Sequence, residues 1–275
     1  MRIYKLKEVL KSLEYSIRNK TPFSLIRFGD GGIKFIHAMI NDDTDQLNDI
    51  IEKEGIPRNN MMEVFELWGY YARHATFIDS PEVYFSSEFW PRLKGPEKPM
   101  NRKTRERLEN WKELYNDAEF DTDRFCNPEI NFLSILRRRH ERNLLDILKG
   151  KRIGCITTFP EIKEKLSEHS YDIDVFQIVG QYERHYENSF IQTIDYIRRT
   201  ANIYDIWLIA AGELGRIYTG LIKQLGGRAF DIGFVIEYWL ETDIPIRLKP
   251  FLKICSGNSL ELQLKSKAYK FNSWL

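Results

Sequence analysis

The chain has 275 residues, of which 43% are hydrophobic and 29% charged, values close to those of ordinary folded proteins and unlike disordered, collagenous or membrane compositions. Its 41 basic and 40 acidic residues leave a net charge of +1, which excludes a global attraction to nucleic acid. The three cysteines are widely spaced without a zinc or disulfide pattern, and the sequence contains neither a signal peptide nor a transmembrane run. A cytoplasmic protein is therefore expected.

The first third of the chain predicts a helix, a buried strand, a glycine turn and a second helix. Apolar residues recur at helical spacing over 5–18, and the apolar run 23–28 is typical of a buried strand. The turn 29–32 closes that strand, and the helical pattern resumes at residue 33. A polar stretch with a short helix then precedes a further helix at 61–74.

The middle of the chain, residues 75–130, has the weakest periodicity. It contains a short strand pattern at 83–85, several prolines and glycines, and a charged helix pattern at 101–118. Long connections in compact domains tend to be functional. We therefore predict an insertion or lid subdomain that carries acceptor specificity.

The second half alternates strands and helices with short gaps, which predicts parallel β-α units. The fold class expected for residues 1–275 is a single α/β domain with a Rossmann-like, mostly parallel sheet flanked by helices. Its predicted helices are 130–148, 161–169, 189–200 and 216–225, and its predicted strands are 151–158, 174–180, 206–211 and 228–233.

Ligands of open parallel sheets bind beyond the carboxyl ends of the strands, and four such ends carry polar residues here. At the first, glycines allow a phosphate to approach the backbone, the next helix offers N–H groups, and an arginine adds a forked donor. We predict a nucleotide-diphosphate site formed by Arg27, Phe28, Gly29, Gly31 and Gly32, with Thr157, Gly212, Glu213 and Gly233 at the other strand ends.

Three carboxylates are candidates for chemistry. Asp30 is a candidate ligand for Mg²⁺ or Mn²⁺ that bridges two phosphates. Asp231 and Glu237 are candidate general bases, or partners of sugar hydroxyls. Structural roles stay open as alternatives: Asp30 as a helix N-cap, Arg27 in an ion pair, and Asp231 as a cap with Glu237 solvated.

Residues 24–31, Ser-Leu-Ile-Arg-Phe-Gly-Asp-Gly, resemble the "RFGDGE" element that opens the GT-D fold glycosyltransferases. Residues 225–238 are similar to the closing segment of that family, with its "DIG" element and nearby Glu-Tyr. The resemblance implies a GT-D-like fold and metal-assisted transfer of a hexose from a UDP-sugar, with an Asp-x-Glu motif at the nucleotide site. Asp30 matches the Asp, whereas Gly32 stands in place of the Glu.

The glycine at this position leaves three hypotheses open. Glu213 or Asp231 substitutes for the lost carboxylate, the enzyme works without metal, or the chain only binds. The leading hypothesis is a cytoplasmic hexosyltransferase whose partners are a nucleotide sugar and a glycan or glycoconjugate acceptor, with homo-oligomer formation left open. The alternatives are a catalytically silent nucleotide-sugar-binding module that partners an active transferase, and another α/β enzyme acting on a phosphorylated small molecule.

Overall fold

The structure is a computed structural model that describes residues 3–79, 102, 105, 106, 109, 124–126, 144–180, 182–233 and 235–240. Within these ranges, the side chains of Asp30, Ile33 and Tyr238 are not described. Most of the predicted insertion 75–130, including its strand 83–85, lies outside the described residues, as does most of the predicted helix 130–148.

Strands and helices alternate along the described chain, and the predicted elements of its second half are found within a few residues of their expected bounds. Three short strands, β1, β3 and β4, were not predicted. The elements in order are β1 (Ile3–Tyr4), α1 (Leu6–Asn19), β2 (Phe23–Ile26), α2 (Gly29–Ile40), α3 (Thr44–Glu54), α4 (Met61–Arg73), β3 (Phe77–Asp79), β4 (Phe125–Cys126), α5 (Leu144–Leu148), β5 (Arg152–Thr157), α6 (Ile162–Ser167), β6 (Asp172–Gln177), a π-helical turn (Tyr186–Phe190), α7 (Ile191–Thr200), β7 (Ile206–Ala210), α8 (Gly215–Gln224), β8 (Arg228–Asp231) and α9 (Val235–Trp239).

The described strands form one eight-stranded sheet in the order β1-β4-β3-β2-β8-β7-β5-β6. Every pair in it is parallel, and Leu25 of β2 lies between Phe77 of β3 and Phe230 of β8. This confirms the predicted α/β fold with a parallel sheet. Because β2, β8, β7 and β5 are neighbours, the four polar strand ends lie along one edge of the sheet.

Helices cover both faces of the sheet. One core packs α2, α3, α4, α7 and α8 on the first face, and a second core packs α1, α5, α6 and α9 on the other. The chain leaves β2 for α2 on the first face, whereas it leaves β8 for α9 on the second. Neighbouring strands whose connections diverge in this way leave a crevice between their carboxyl ends, which is where open sheets bind ligands.

The start of α2 differs from the prediction. The helix begins at Gly29, so the glycines form its first turn rather than a separate turn before it, and the Gly32 N–H donates to the Phe28 carbonyl at 3.0 Å. Asp30 is the second residue of the helix, so it is not the N-cap. Glycine costs about 1 kcal/mol per helical position, and burial of Phe35 and Ile36 in the first core offsets that cost.

Helix α8 approaches α4 closely because it carries a glycine at the contact. A Cβ atom at Gly220 would lie 2.3 Å from the Cβ and Cγ atoms of Tyr71. We expect Gly220→Ala to lower the free energy of unfolding by about 1–3 kcal/mol through overpacking. Chemical denaturation measures this change.

Gly69 of α4 is the matched control for this substitution. It is also a helical glycine, but a Cβ there would have no neighbour within 4 Å. Gly69→Ala should therefore raise the free energy of unfolding by about 0.5–1 kcal/mol through helix propensity alone. Equal effects of the two substitutions would contradict the packing argument.

Candidate functional site

The crevice between β2 and β8 contains three of the predicted site residues. The Arg27 backbone N–H donates to Asp231 Oδ2 at 3.4 Å, and the Arg27 guanidinium donates from Nη1 to the Ile232 carbonyl at 3.4 Å. Arg27 Nε lies 3.9 Å from Asp231 Oδ1, and the Arg27 side chain is 17% exposed. Arg27 thus forms an ion pair with Asp231 at the edge of the crevice. An ion pair was the structural role considered for Arg27 as the alternative to phosphate binding.

Gly233 allows this arrangement. Its φ of +51° is in the left-handed region, and a Cβ atom there would lie 2.5 Å from Arg27 Nη1. A side chain at this position would be strained and would displace the guanidinium. The "DIG" glycine therefore makes room for the "RFGDG" arginine, which explains why two motifs distant in sequence occur together at one site.

Asp231 is a buried carboxylate at the end of β8. Its burial raises the pKa of the Asp231 carboxyl above the ordinary value, although the charges of Arg27 and Arg216 and backbone N–H groups partly oppose that change. A carboxylate with a raised pKa is suited to accept a proton from an attacking hydroxyl. The same burial makes its ionisation costly for the fold.

The raised pKa gives stability a defined pH dependence. The folded chain holds the Asp231 proton more tightly than the unfolded chain, so this group stabilises the fold most below the ordinary carboxyl pKa. That contribution is lost as pH rises through the raised folded pKa. Asp231→Asn abolishes it, so the free energy of unfolding of the variant, minus that of the parent, should increase from about pH 4 upward. Chemical denaturation of both proteins at several pH values measures this difference in the free energy of unfolding. A difference that decreases as pH rises would contradict the raised pKa of Asp231.

Asp231 lies four residues before Val235, the first residue of α9. The first N–H of α9, that of Val235, donates to the Ile232 carbonyl at 3.2 Å. The Asp231 carboxylate instead connects β8 to β2 through the Arg27 N–H. Glu237, the other candidate base, is half-buried in the first turn of α9. Its catalytic role stays a prediction.

Arg216, in the first turn of α8, is the main site residue that the sequence prediction missed. It is 4% exposed. Its Nε donates to the Arg27 carbonyl and its Nη2 to the Phe28 carbonyl, both at 2.5 Å. Its Nη1 donates to the Glu213 carboxylate. Arg216 thereby fixes the end of β2 and the residue before α2 to the start of α8.

The sequence contains only a weak signal for Arg216: it is the one charged residue in 215–222, a range that the structure buries completely. A charged residue within a buried helix needs buried partners. The two backbone carbonyls that Arg216 binds lie 189 and 188 residues earlier in the chain, so no local pattern identifies them.

The remaining predicted nucleotide-site residues have different surroundings. Glu213 follows β7 and accepts a hydrogen bond from Arg216. Arg216 in turn binds the Arg27 carbonyl after β2, so the ends of the two strands are connected. The ring of Phe28 is buried against Trp68, at 4.7 Å between ring centroids, so its carbonyl rather than its ring belongs to the site. Thr157 is fully buried, and its hydroxyl accepts from the Phe159 N–H at 3.2 Å within the turn after β5.

A buried polar cluster supports the turn at Gly212. This glycine has a φ of +55°, and a Cβ atom there would lie 2.9 Å from Glu54 Oε1. Glu54 and His185 are 2% and 3% exposed, with Glu54 Oε2 3.8 Å from His185 Nδ1. The Tyr218 hydroxyl lies 3.1 Å from His185 Nε2, and burial raises the pKa of that tyrosine. None of these three side chains is among the predicted site residues.

The comparisons with known proteins find solved structures of similar fold. No family model and no curated protein matches the chain. It is similar to a solved structure described as a new glycosyltransferase (DUF1792) from Streptococcus sanguinis, with a TM-score of 0.55 and 16% identity over 87% of this chain and 85% of that one. A second similar structure is that of domain of unknown function 1792, described as having a distinct glycosyltransferase fold. Its TM-score is 0.55, and the sequence identity is 14% over 88% of this chain and 82% of that one.

These likenesses establish the fold class of the chain. It has the GT-D type of glycosyltransferase fold that the motifs at 24–31 and 225–238 predicted. Among the described helices, none is both long enough and apolar enough to cross a membrane.

Proposed function

We propose that the chain is a glycosyltransferase that moves a hexose from a UDP-linked sugar to a hydroxyl of a saccharide or glycoconjugate acceptor. The observation that carries this proposal is the position of Arg27, beside Gly233 and two residues before α2, in the β2–β8 crevice of a glycosyltransferase fold. In open parallel sheets this crevice is the position of the ligand.

The donor diphosphate would bind at the start of α2. The first N–H groups of a helix have no acceptor within the helix, and its N-terminal end carries partial positive charge. Gly29 and Gly31 in this turn have no Cβ atoms, so a phosphate can approach the backbone. The Arg27 guanidinium adds a forked donor for two phosphate oxygens.

Transfer requires one bond to form and one to break. The acceptor oxygen bonds to the anomeric carbon of the hexose, the bond from that carbon to the diphosphate oxygen breaks, and the electron pair leaves with UDP. The hydroxyl proton passes to a base, for which Asp231 and Glu237 are our candidates. Stabilising the charge of the leaving diphosphate is the main catalytic contribution expected of Arg27.

Calorimetry tests the donor part of this proposal. UDP, UDP-glucose and other nucleotide sugars are titrated into the full chain, and those that bind are then used in transfer assays with glycan acceptors. Saturable binding of a nucleotide sugar is the expected result. If none binds, the proposal is wrong. Asp30→Ala tests the predicted role of that residue, because a variant that binds and turns over like the parent would remove it.

Gly32 favours a second candidate function, a nucleotide-sugar-binding module without activity of its own that partners an active transferase. The family motif has a carboxylate at this position, and its loss removes a metal ligand or catalytic group. Turnover by the purified chain alone would exclude this candidate.

A further inference from the structure

The space beside Gly32 is filled by the guanidinium group of Arg216. The family motif has a glutamate at position 32. Gly32 is buried in the first turn of α2. A Cβ atom built on it would lie 3.0 Å from Arg216 Nη2 and 3.1 Å from Trp68 Cζ2. The Arg216 guanidinium carbon lies 5.6 Å from the centre of the Trp68 ring, within the range of a cation–π contact. A side chain at position 32 would therefore extend towards a buried guanidinium.

This arrangement does not fit a two-carboxylate metal site. Magnesium and manganese bind between carboxylate oxygens and phosphates. Arginine stays protonated in proteins, so its charge at this position repels a divalent cation. Glu213, a carboxylate beside it, hydrogen-bonds to the guanidinium.

We infer that this chain binds the diphosphate of its donor without a divalent cation, with Arg27 as the contacting cation and Arg216 as the positioning residue. The inference rests on the proposed function and concerns how the same site is built. Arg216 holds the carbonyls of Arg27 and Phe28. It therefore fixes the residue whose side chain contacts the diphosphate and the residue from which α2 begins.

Electrostatics at the crevice agree with this division of roles. Arg216 is almost fully buried and its donors are engaged by two carbonyls and Glu213, so it acts through the backbone of the β2–α2 connection. Arg27 is more exposed and extends across the crevice to β8. Its ion pair with Asp231 is long, at 3.9 Å, so a diphosphate with ideal forked geometry competes well for the guanidinium.

The first experiment compares nucleotide binding in two buffers. The full chain is treated with EDTA, and UDP and UDP-glucose are titrated by calorimetry in EDTA and again with excess Mn²⁺. The inference predicts dissociation constants that agree within about twofold. Binding that tightens about tenfold or more with Mn²⁺ would overturn the inference and leave the proposed function standing. Absence of binding in both buffers would instead overturn the proposed function, and the inference with it.

A second experiment restores the family carboxylate. In Gly32→Glu the new side chain meets Arg216, so we expect UDP affinity to fall about tenfold or more and to remain independent of Mn²⁺. Gly69→Glu is the control, because it places the same residue in a helix where no atom lies within 4 Å of the Cβ position. Metal-dependent tightening in Gly32→Glu would show that Arg216 does not exclude the ion. If Gly32→Glu does not fold, the comparison of buffers with the parent decides the question.

Discussion

Arg216→Ala is expected to lower the free energy of unfolding by about 3–5 kcal/mol, the range found when one partner of a buried ion pair is removed. The substitution leaves the carbonyls of Arg27 and Phe28 without their donor and Glu213 without its partner, and it opens a cavity beside Trp68. For a chain of this size the loss corresponds to a decrease of roughly 10 °C in Tm. Chemical and thermal denaturation measure both quantities.

The chain provides a matched control for this prediction. Arg198 forms an ion pair with Asp195 at the same spacing of three residues, but the two side chains are 63% and 56% exposed. Exposed pairs contribute about 0–1 kcal/mol, so Arg198→Ala should change stability little. A similar small effect of Arg216→Ala would contradict the role of Arg216 as the residue that holds the β2–α2 connection.

Arg27→Ala is expected to weaken nucleotide-sugar binding by about 10- to 100-fold, because a hydrogen bond to a charged group contributes about 1.5–3 kcal/mol. Catalytic efficiency should fall at least as far, since the diphosphate gains charge as it leaves. Calorimetry with UDP gives the first value and a transfer assay the second.

Arg27→Lys separates charge from geometry in this prediction. It keeps a positive charge at the end of β2 but loses the planar fork that binds two oxygens at once. Its UDP affinity should lie between those of the parent and Arg27→Ala. An Arg27→Ala variant that binds UDP as tightly as the parent would remove Arg27 from the donor site.

Much of the fold was predictable because its elements carry strong local patterns. The apolar runs at Ile206–Ala210 and Arg152–Thr157, with helical periodicity between them, indicate parallel β-α units, and the sheet contains these strands as neighbours. The motif at residues 24–31 predicted a site at the end of β2, and this stays a prediction. Local propensity failed at the start of α2, where packing of the helix outweighs the cost of its glycines.

Part of the site could not be predicted, because it depends on contacts between distant residues. Arg216 lies in a helix that local sequence places only as buried, and its partners Arg27 and Phe28 belong to the first β-α connection. Glu54 and His185 have no shared spacing, and they meet only because α3 and the segment before α7 pack together. Thr157 illustrates the opposite case: a polar residue at a strand end whose hydroxyl is used within its own turn.

The pairing of β2 with β8 also bears on how the protein is made. The hydrogen bond from Arg27 to Asp231 joins residues 204 positions apart. During synthesis, β2 therefore leaves the ribosome long before the strand that completes its crevice, and it has an unpaired edge in the interval. Contacts of such long range slow folding, because a large loop must close before they contribute any stability. The crevice between β2 and β8 is thus among the last parts of the described chain to form, so a nascent chain gains the proposed donor site only when its sheet is nearly complete.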